Sequence, residues 1–201
     1  MKQPQLFEDA TVPNFDLDQY FTPTDLAKEF VDWCSIPHGA TVLEPSAGLG
    51  ALVECISIHC AMTAVELDPD KASELMLNFG DEDGMDIVEA DFLEWEPSQR
   101  YDVAVMNPPY SMQPAIDALF IRKATIHCDR VCAIVRSVFF NGAGRKAICH
   151  DHAIYTRFKP LVNRPQFGGD HSPKADFMFV ECRKRKPGEQ QGWSFAGGGA
   201  Q

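Results

Sequence analysis

Six short, mostly apolar runs are spaced along the chain, and their apolarity narrows the folds open to it. Residues 41–44, 62–66, 87–90, 102–106, 131–135 and 177–182 each read as a buried strand. Segments of helical spacing lie between them. Leu52, Val53 and Ile56 form one such face. Ala72, Leu75, Met76 and Phe79 form a second. Ile116, Leu119 and Phe120 form a third, in a helix predicted over residues 113–126. A further helix is predicted before the first strand, capped by Thr24 or Asp25 and running to Cys34, with Leu26, Phe30, Val31 and Cys34 on one face. Strands that are mostly apolar need cover on both faces. Strand–helix alternation around a parallel sheet supplies it. The expected fold class is therefore α/β, a doubly wound and mostly parallel sheet. A length of 201 residues suits one domain. Its expected bounds are 19–182, with an irregular arm over 1–18 and a basic, then Gly-rich flexible tail over 183–201.

Several classes drop out early. No run of about 18 apolar residues is present, so no membrane partner is expected. The first ten residues are polar, carry Glu8 and Asp9, and lack the pattern of a secretion signal. Seven cysteines, an odd number, point to reduced thiols and a cytoplasmic location. Cys149-His150-Asp151-His152 does not have the spacing of a structural zinc site, so no metal is expected. The net charge of −11 is unevenly spread. Residues 1–100 hold 21 acidic and 4 basic side chains (4 − 21 = −17), and residues 101–201 hold 8 and 14 (14 − 8 = +6). The second half can therefore face a polyanion. Arg145, Lys146, Arg157, Lys159, Arg164 and Lys174, with Phe158 and Phe167 among them, are candidates for phosphate contacts.

The chemistry-bearing residues fall at strand ends. After Glu44 comes Pro45-Ser46-Ala47-Gly48-Leu49-Gly50, a turn whose glycines let backbone approach a ligand. Glu66 ends the next strand, where a carboxylate can accept from ribose hydroxyls. The Gly-x-Gly-x-x-Gly spacing of dinucleotide sites and the Gly-Lys-Ser/Thr of phosphate loops are missing, so a nucleoside without pyrophosphate is expected. Asp91-Phe92 follows the third strand and can hold a purine by its amine and its face. Asn107-Pro108-Pro109-Tyr110 follows the fourth. A conjugated amino group is a poor nucleophile because its lone pair is delocalised. Acceptors aimed at both N–H groups, the Asn107 side-chain oxygen and the Pro108 carbonyl, can expose that lone pair. The prolines fix φ, and Tyr110 can stack on a planar target.

Together these motifs resemble the class I S-adenosylmethionine-dependent methyltransferases, close to the group that methylates adenine N6 in DNA and to its small phage and prophage members. The resemblance covers about residues 20–182. It implies a seven-stranded Rossmann-like methyltransferase fold and S-adenosylmethionine as cofactor. It implies cofactor contacts from Tyr20, Thr22, Glu44, Ser46, Ala47, Gly48, Gly50, Glu66, Leu67, Asp91, Phe92 and Asn107. The implied catalytic residues are Asn107, Pro108, Pro109 and Tyr110. A substrate-loop region over about 137–175 is implied to bring Phe139, Arg145, Arg164 and Phe167, with Tyr110, to the target. The implied partner is DNA, its target base flipped out of the stack, in a bacterial or phage-infected cell. An RNA base or a protein glutamine is the alternative acceptor, and a non-catalytic nucleic-acid-binding module the alternative of another class. After Cys182 only 201 − 182 = 19 residues remain. Target recognition is therefore expected from residues 141–174 or from a partner subunit.

Overall fold

Glu44, Glu66 and Met106 end three neighbouring parallel strands, and the way those strands are ordered decides where a ligand can sit. The computed structural model describes residues 22–56, 60–110, 114–165 and 175–192. Its strands are β1 (Thr41–Glu44), β2 (Ala61–Glu66), β3 (Met85–Glu89), β4 (Tyr101–Met106), β5 (Cys128–Arg136), β6 (Ala153–Pro160) and β7 (Phe177–Lys184). They form one sheet in the order β3-β2-β1-β4-β5-β7-β6. The first five are mutually parallel, and β7 runs antiparallel to both β5 and β6. The strand order reverses between β1 and β4. At such a switch point the crevice beyond the carboxyl ends of the strands is open to a ligand.

Alternating strand residues feed two cores, as period-2 geometry requires. Val42, Met62, Ala64, Val103, Val105, Cys132 and Ile134 point to one face. There they meet Phe30 of α1 (Thr24–Cys34), Leu52 and Val53 of α2 (Ala51–Ile56) and Leu75 of α3 (Pro69–Phe79). Leu43, Val65, Ala104, Met106, Val131, Ala133 and Val135 point to the other. They meet Ile116, Phe120, Ile121 and Ala124 of α4 (Ile116–His127). The doubly wound α/β expectation thus holds.

The departures are local and have causes. α1 begins at Thr24, with Pro23 at the N-cap and no side-chain cap, so neither Thr24 nor Asp25 has the predicted role. α3 is capped instead by Asp68, whose Oδ1 accepts from Asp70 N at 3.0 Å, with Pro69 at the first helical position. Met76 is half exposed, because α3 covers the sheet near its β3 edge and needs only Ala72 and Leu75 for full burial. The third strand spans 85–89, not 87–90, in register with β2 from Met62↔Met85. The predicted start of α4 at Gln113 lies outside the described residues.

Two differences are larger. β6 falls inside the substrate-loop region expected over about 137–175. It is the outermost strand, where Thr156, Phe158 and Pro160 are exposed, while Arg157 and Lys159 are half-buried with their cations over the Trp33 and Phe179 rings. The expected flexible tail is also anchored where it is described. Arg183 pairs with Glu189 at 2.6 Å, Arg185 Nη2 donates to His150 O at 2.9 Å, and the Gln191 amide both accepts from Tyr155 N (2.8 Å) and donates to Tyr155 O (3.0 Å). Residues 193–201 lie outside the described residues.

Candidate active site

A cavity of about 320 Å³ opens at the carboxyl ends of β1 to β4, within the size range of small-molecule sites. Its floor is the turn after β1. Ala47 N donates to Val65 O (3.0 Å) and Gly50 N to Ala47 O (2.9 Å), which folds the turn back onto β2. Gly50 has φ +89°, and a Cβ there would lie 2.5 Å from Phe79 Cε2 and 2.9 Å from Leu75 Cδ2. Backbone conformation and α3 packing therefore both require glycine. Gly50 itself stands behind the turn, not among the lining residues, whereas Ser46, Ala47 and Gly48 line the cavity.

Acidic groups ring the opening. Glu44 is completely buried. Its Oε1 accepts from Ser46 N (3.0 Å) and Ser46 Oγ (3.2 Å), while Oε2 has no partner among the described residues. Burial pushes its carboxyl up to about 8, against the pull of the Ser46 bonds. Glu66 Oε2 accepts from Gly48 N (2.7 Å) and Oε1 from Asp68 N (2.9 Å), so the carboxylate is fixed while each oxygen keeps a second lone pair. Asp91 Oδ1 accepts from Leu93 N (2.8 Å). Phe92 is buried against Phe120 (centroids 5.1 Å apart) and forms a wall. Lys123 ties this corner to α4. Its Nζ donates to the Leu93 and Trp95 carbonyls and sits 5.6 Å from the centre of the Phe92 ring.

Asn107, Pro108, Pro109 and Tyr110 continue from β4 into the same cavity. Ser46 Oγ lies 3.2 Å from Asn107 O, linking the β1 turn to the end of β4. Asn107 Nδ2 donates to Thr22 Oγ1 (3.0 Å). The Tyr110 hydroxyl reaches Asn107 Oδ1 (2.6 Å) and Ile134 O (2.8 Å), and Arg136 Nη2 donates to Tyr110 O (3.1 Å).

The cavity thus gathers Thr22, Glu44, Ser46, Ala47, Gly48, Glu66, Leu67, Asp91, Phe92 and Asn107 to Tyr110. Tyr20 and Phe167 lie outside the described residues. The remaining expected substrate residues are elsewhere. Phe139 is fully buried in the core, edge-on to His150 and Tyr155. Arg145 pairs with the buried Asp117 at 3.2 Å, and Arg164 pairs with Asp176 at 2.7 Å. The wider basic surface is likewise neutralised. Lys146 pairs with Asp151, Arg157 with Glu181 and Lys159 with Glu29. Lys174 lies outside the described residues. Cys149 and His150 both bond the Tyr155 hydroxyl (3.3 and 2.6 Å). Sequence reasoning missed Lys71, Ile116 and Phe120 as lining residues. Ile116 and Phe120 carried the only available signal, an i, i+4 apolar pair, and it read as core.

No family model matches the chain. Among curated relatives it is 27% identical over 122 residues to the type II methyltransferase M.CvrRI of Paramecium bursaria Chlorella virus XZ-6E, covering 55% of this chain and 31% of that one. It is 27% identical over 171 residues to the type II methyltransferase M.HincII of Haemophilus influenzae, covering 75% and 32%. It is 31% identical over 94 residues to the tRNA1(Val) (adenine(37)-N6)-methyltransferase of Enterobacter sp. (strain 638), covering 42% and 38%. The chain therefore spans about a third of the length of the type II relatives. Its fold matches PH1948 from Pyrococcus horikoshii (TM-score 0.67, 22% identity, 84% of this chain and 88% of that one). It also matches the 23S rRNA methyltransferase ErmE (TM-score 0.63, 19% identity, 83% and 70%). The chain has the fold of the class I S-adenosylmethionine-dependent methyltransferases and resembles type II methyltransferases in sequence.

Proposed function

We propose that this protein is an S-adenosylmethionine-dependent N-methyltransferase whose acceptor is adenine N6 in DNA. One observation carries the reading. The Asn107–Tyr110 turn opens into the same cavity as the carboxylates that end β1 and β2 and the one that follows β3.

The donor set fits the cofactor. Glu44 Oε2, buried and unpartnered, suits the ammonium of the methionine end, with Thr22 close by. Glu66 would take ribose hydroxyls and Asp91 the adenine amine, between walls from Leu67, Phe92, Ile116 and Phe120. When bound, the cofactor supplies a methyl group on a positively charged sulfur.

The chain's own residues do the rest. Asn107 Oδ1 and the Pro108 carbonyl would accept the two N–H bonds of the target amine, restoring its lone pair, and they bind the amine more tightly as positive charge grows on its nitrogen. The prolines hold that carbonyl direction. No covalent attachment to the protein is needed, because placing nucleophile and methyl in line accounts for the step. The surplus proton leaves to water.

Methyl transfer from labelled S-adenosylmethionine to DNA, RNA and protein extract in parallel, followed by nucleoside mass spectrometry, tests the reading. Label as N6-methyladenine in DNA, lost in Asn107→Ala, is the expected result. Label in none of the three would sink it. An RNA acceptor is the second reading, favoured by the sequence similarity to a tRNA adenine-N6 methyltransferase. Label confined to RNA would select it.

A further inference from the structure

The amide of Asn107 is engaged on both sides by the protein itself. Nδ2 donates to Thr22 Oγ1 at 3.0 Å, and Oδ1 receives the Tyr110 hydroxyl at 2.6 Å. That hydroxyl also lies 2.8 Å from Ile134 O on β5, and its single hydrogen serves one acceptor at a time. The ring is seated to match. Tyr110 is 6% exposed, edge-on to Phe177 with centroids 5.7 Å apart, and covered by the Arg136 guanidinium at 5.2 Å. Arg136 Nη2 holds the Tyr110 carbonyl at 3.1 Å. Seated in this way, the ring offers little of its surface to a planar target.

We infer that Tyr110 is a latch: in the free protein its hydroxyl takes one of the two lone pairs of the Asn107 oxygen that must receive the target amine and holds the ring in its seat, and an entering base has to break that bond to turn the ring outward. The inference rests on the reading of Asn107–Tyr110 as the transfer site. It deepens that reading by separating two uses of one side chain. The hydroxyl closes the site, and the ring, once outward, stacks on the base. No bond is made or broken beyond hydrogen bonds, so the exchange is a balance of populations. A base that binds only the open state pays for the closed fraction in apparent affinity.

Tyr110→Phe removes the hydroxyl and keeps the ring, Phe177 and Arg136. It leaves Asn107 Oδ1 without that donor in the closed state only. Loss of one neutral hydrogen bond should lower KM for DNA by about 2- to 10-fold, the change falling on KM more than on kcat. Fluorescence of 2-aminopurine at the target position should rise at lower protein concentration, reporting easier base extrusion. Tyr110→Ala, which loses the stacking ring as well, should lower kcat. A Tyr110→Phe enzyme with unchanged or raised KM overturns the latch while leaving the proposed function standing. A lowered melting temperature without a lowered KM does the same, since a purely structural hydroxyl would behave that way. Wild-type protein that binds the cofactor yet methylates nothing overturns both.

Discussion

Glu44 is a buried carboxyl at the candidate site whose ionisation bears on stability. Burial lifts its carboxyl from 4.5 to about 8. A carboxyl raised in the folded state keeps its proton there and loses it in the unfolded chain, so its contribution is complete below pH 4.5 and is lost as pH climbs towards 8. Wild-type stability should decline across that window relative to Glu44→Gln, by at most about 1.4 kcal/mol per pH unit, and thermal melts of both proteins from pH 5 to pH 8 check it. Matching pH profiles for the two proteins would contradict the burial argument. At the transfer site, Asn107→Ala removes one acceptor and should lower kcat about 10²- to 10³-fold, the loss of cofactor affinity being the smaller effect. Single-turnover methylation separates the two effects. Glu44, Glu66, Asp91 and Asn107 were all legible in the sequence, because each sits at a strand end where an apolar run stops. The second use of Tyr110 was not. Its partners Ile134 and Arg136 are 24 and 26 residues further along and meet it only because β4 and β5 are adjacent.

At the scale of elements, the ion pair between Arg145 and Asp117 fastens the turn of helix at Ala143–Arg145 onto the start of α4. Asp117 is 1% exposed, and Arg145→Ala would strand its charge. We expect a loss of about 3–5 kcal/mol in urea unfolding, and a smaller loss in Arg145→Ala with Asp117→Asn, where no buried charge remains. Arg145 had been expected to face the substrate. Nothing local told a phosphate-binding arginine from a structural one, because the deciding acid lies 28 residues away on another element. Six strands were legible as apolar runs. The seventh was not, because Arg157 and Lys159 gave β6 the look of a basic loop, and the Trp33 and Phe179 rings that half-bury them lie on other elements. Phe139 was misplaced for a related reason. An aromatic after a strand end reads equally as a base-stacking ring or as a core plug, and packing against His150, Tyr155 and Phe140 makes it the plug.

Across the whole molecule, the +6 balance of residues 101–201 promised a surface for a polyanion. The described cations of the expected patch are instead matched with Asp117, Asp151, Glu181, Glu29 and Asp176. Few phosphates would then be neutralised on binding. DNA affinity should fall only gently with salt, with a slope in log–log form of about −1 to −3 rather than the −6 or steeper of a protein contacting many phosphates. Fluorescence anisotropy between 50 and 200 mM salt decides between them. The amide of Gln191, paired with both backbone groups of Tyr155, has a bearing on handling as well as on shape. It fills the place where a further strand would add to the outer side of the sheet, so each molecule carries its own stopper. A chain clipped after Glu189 would present the two Tyr155 backbone groups to its neighbours and should aggregate more readily, visible by light scattering, before any loss of helix registers by circular dichroism.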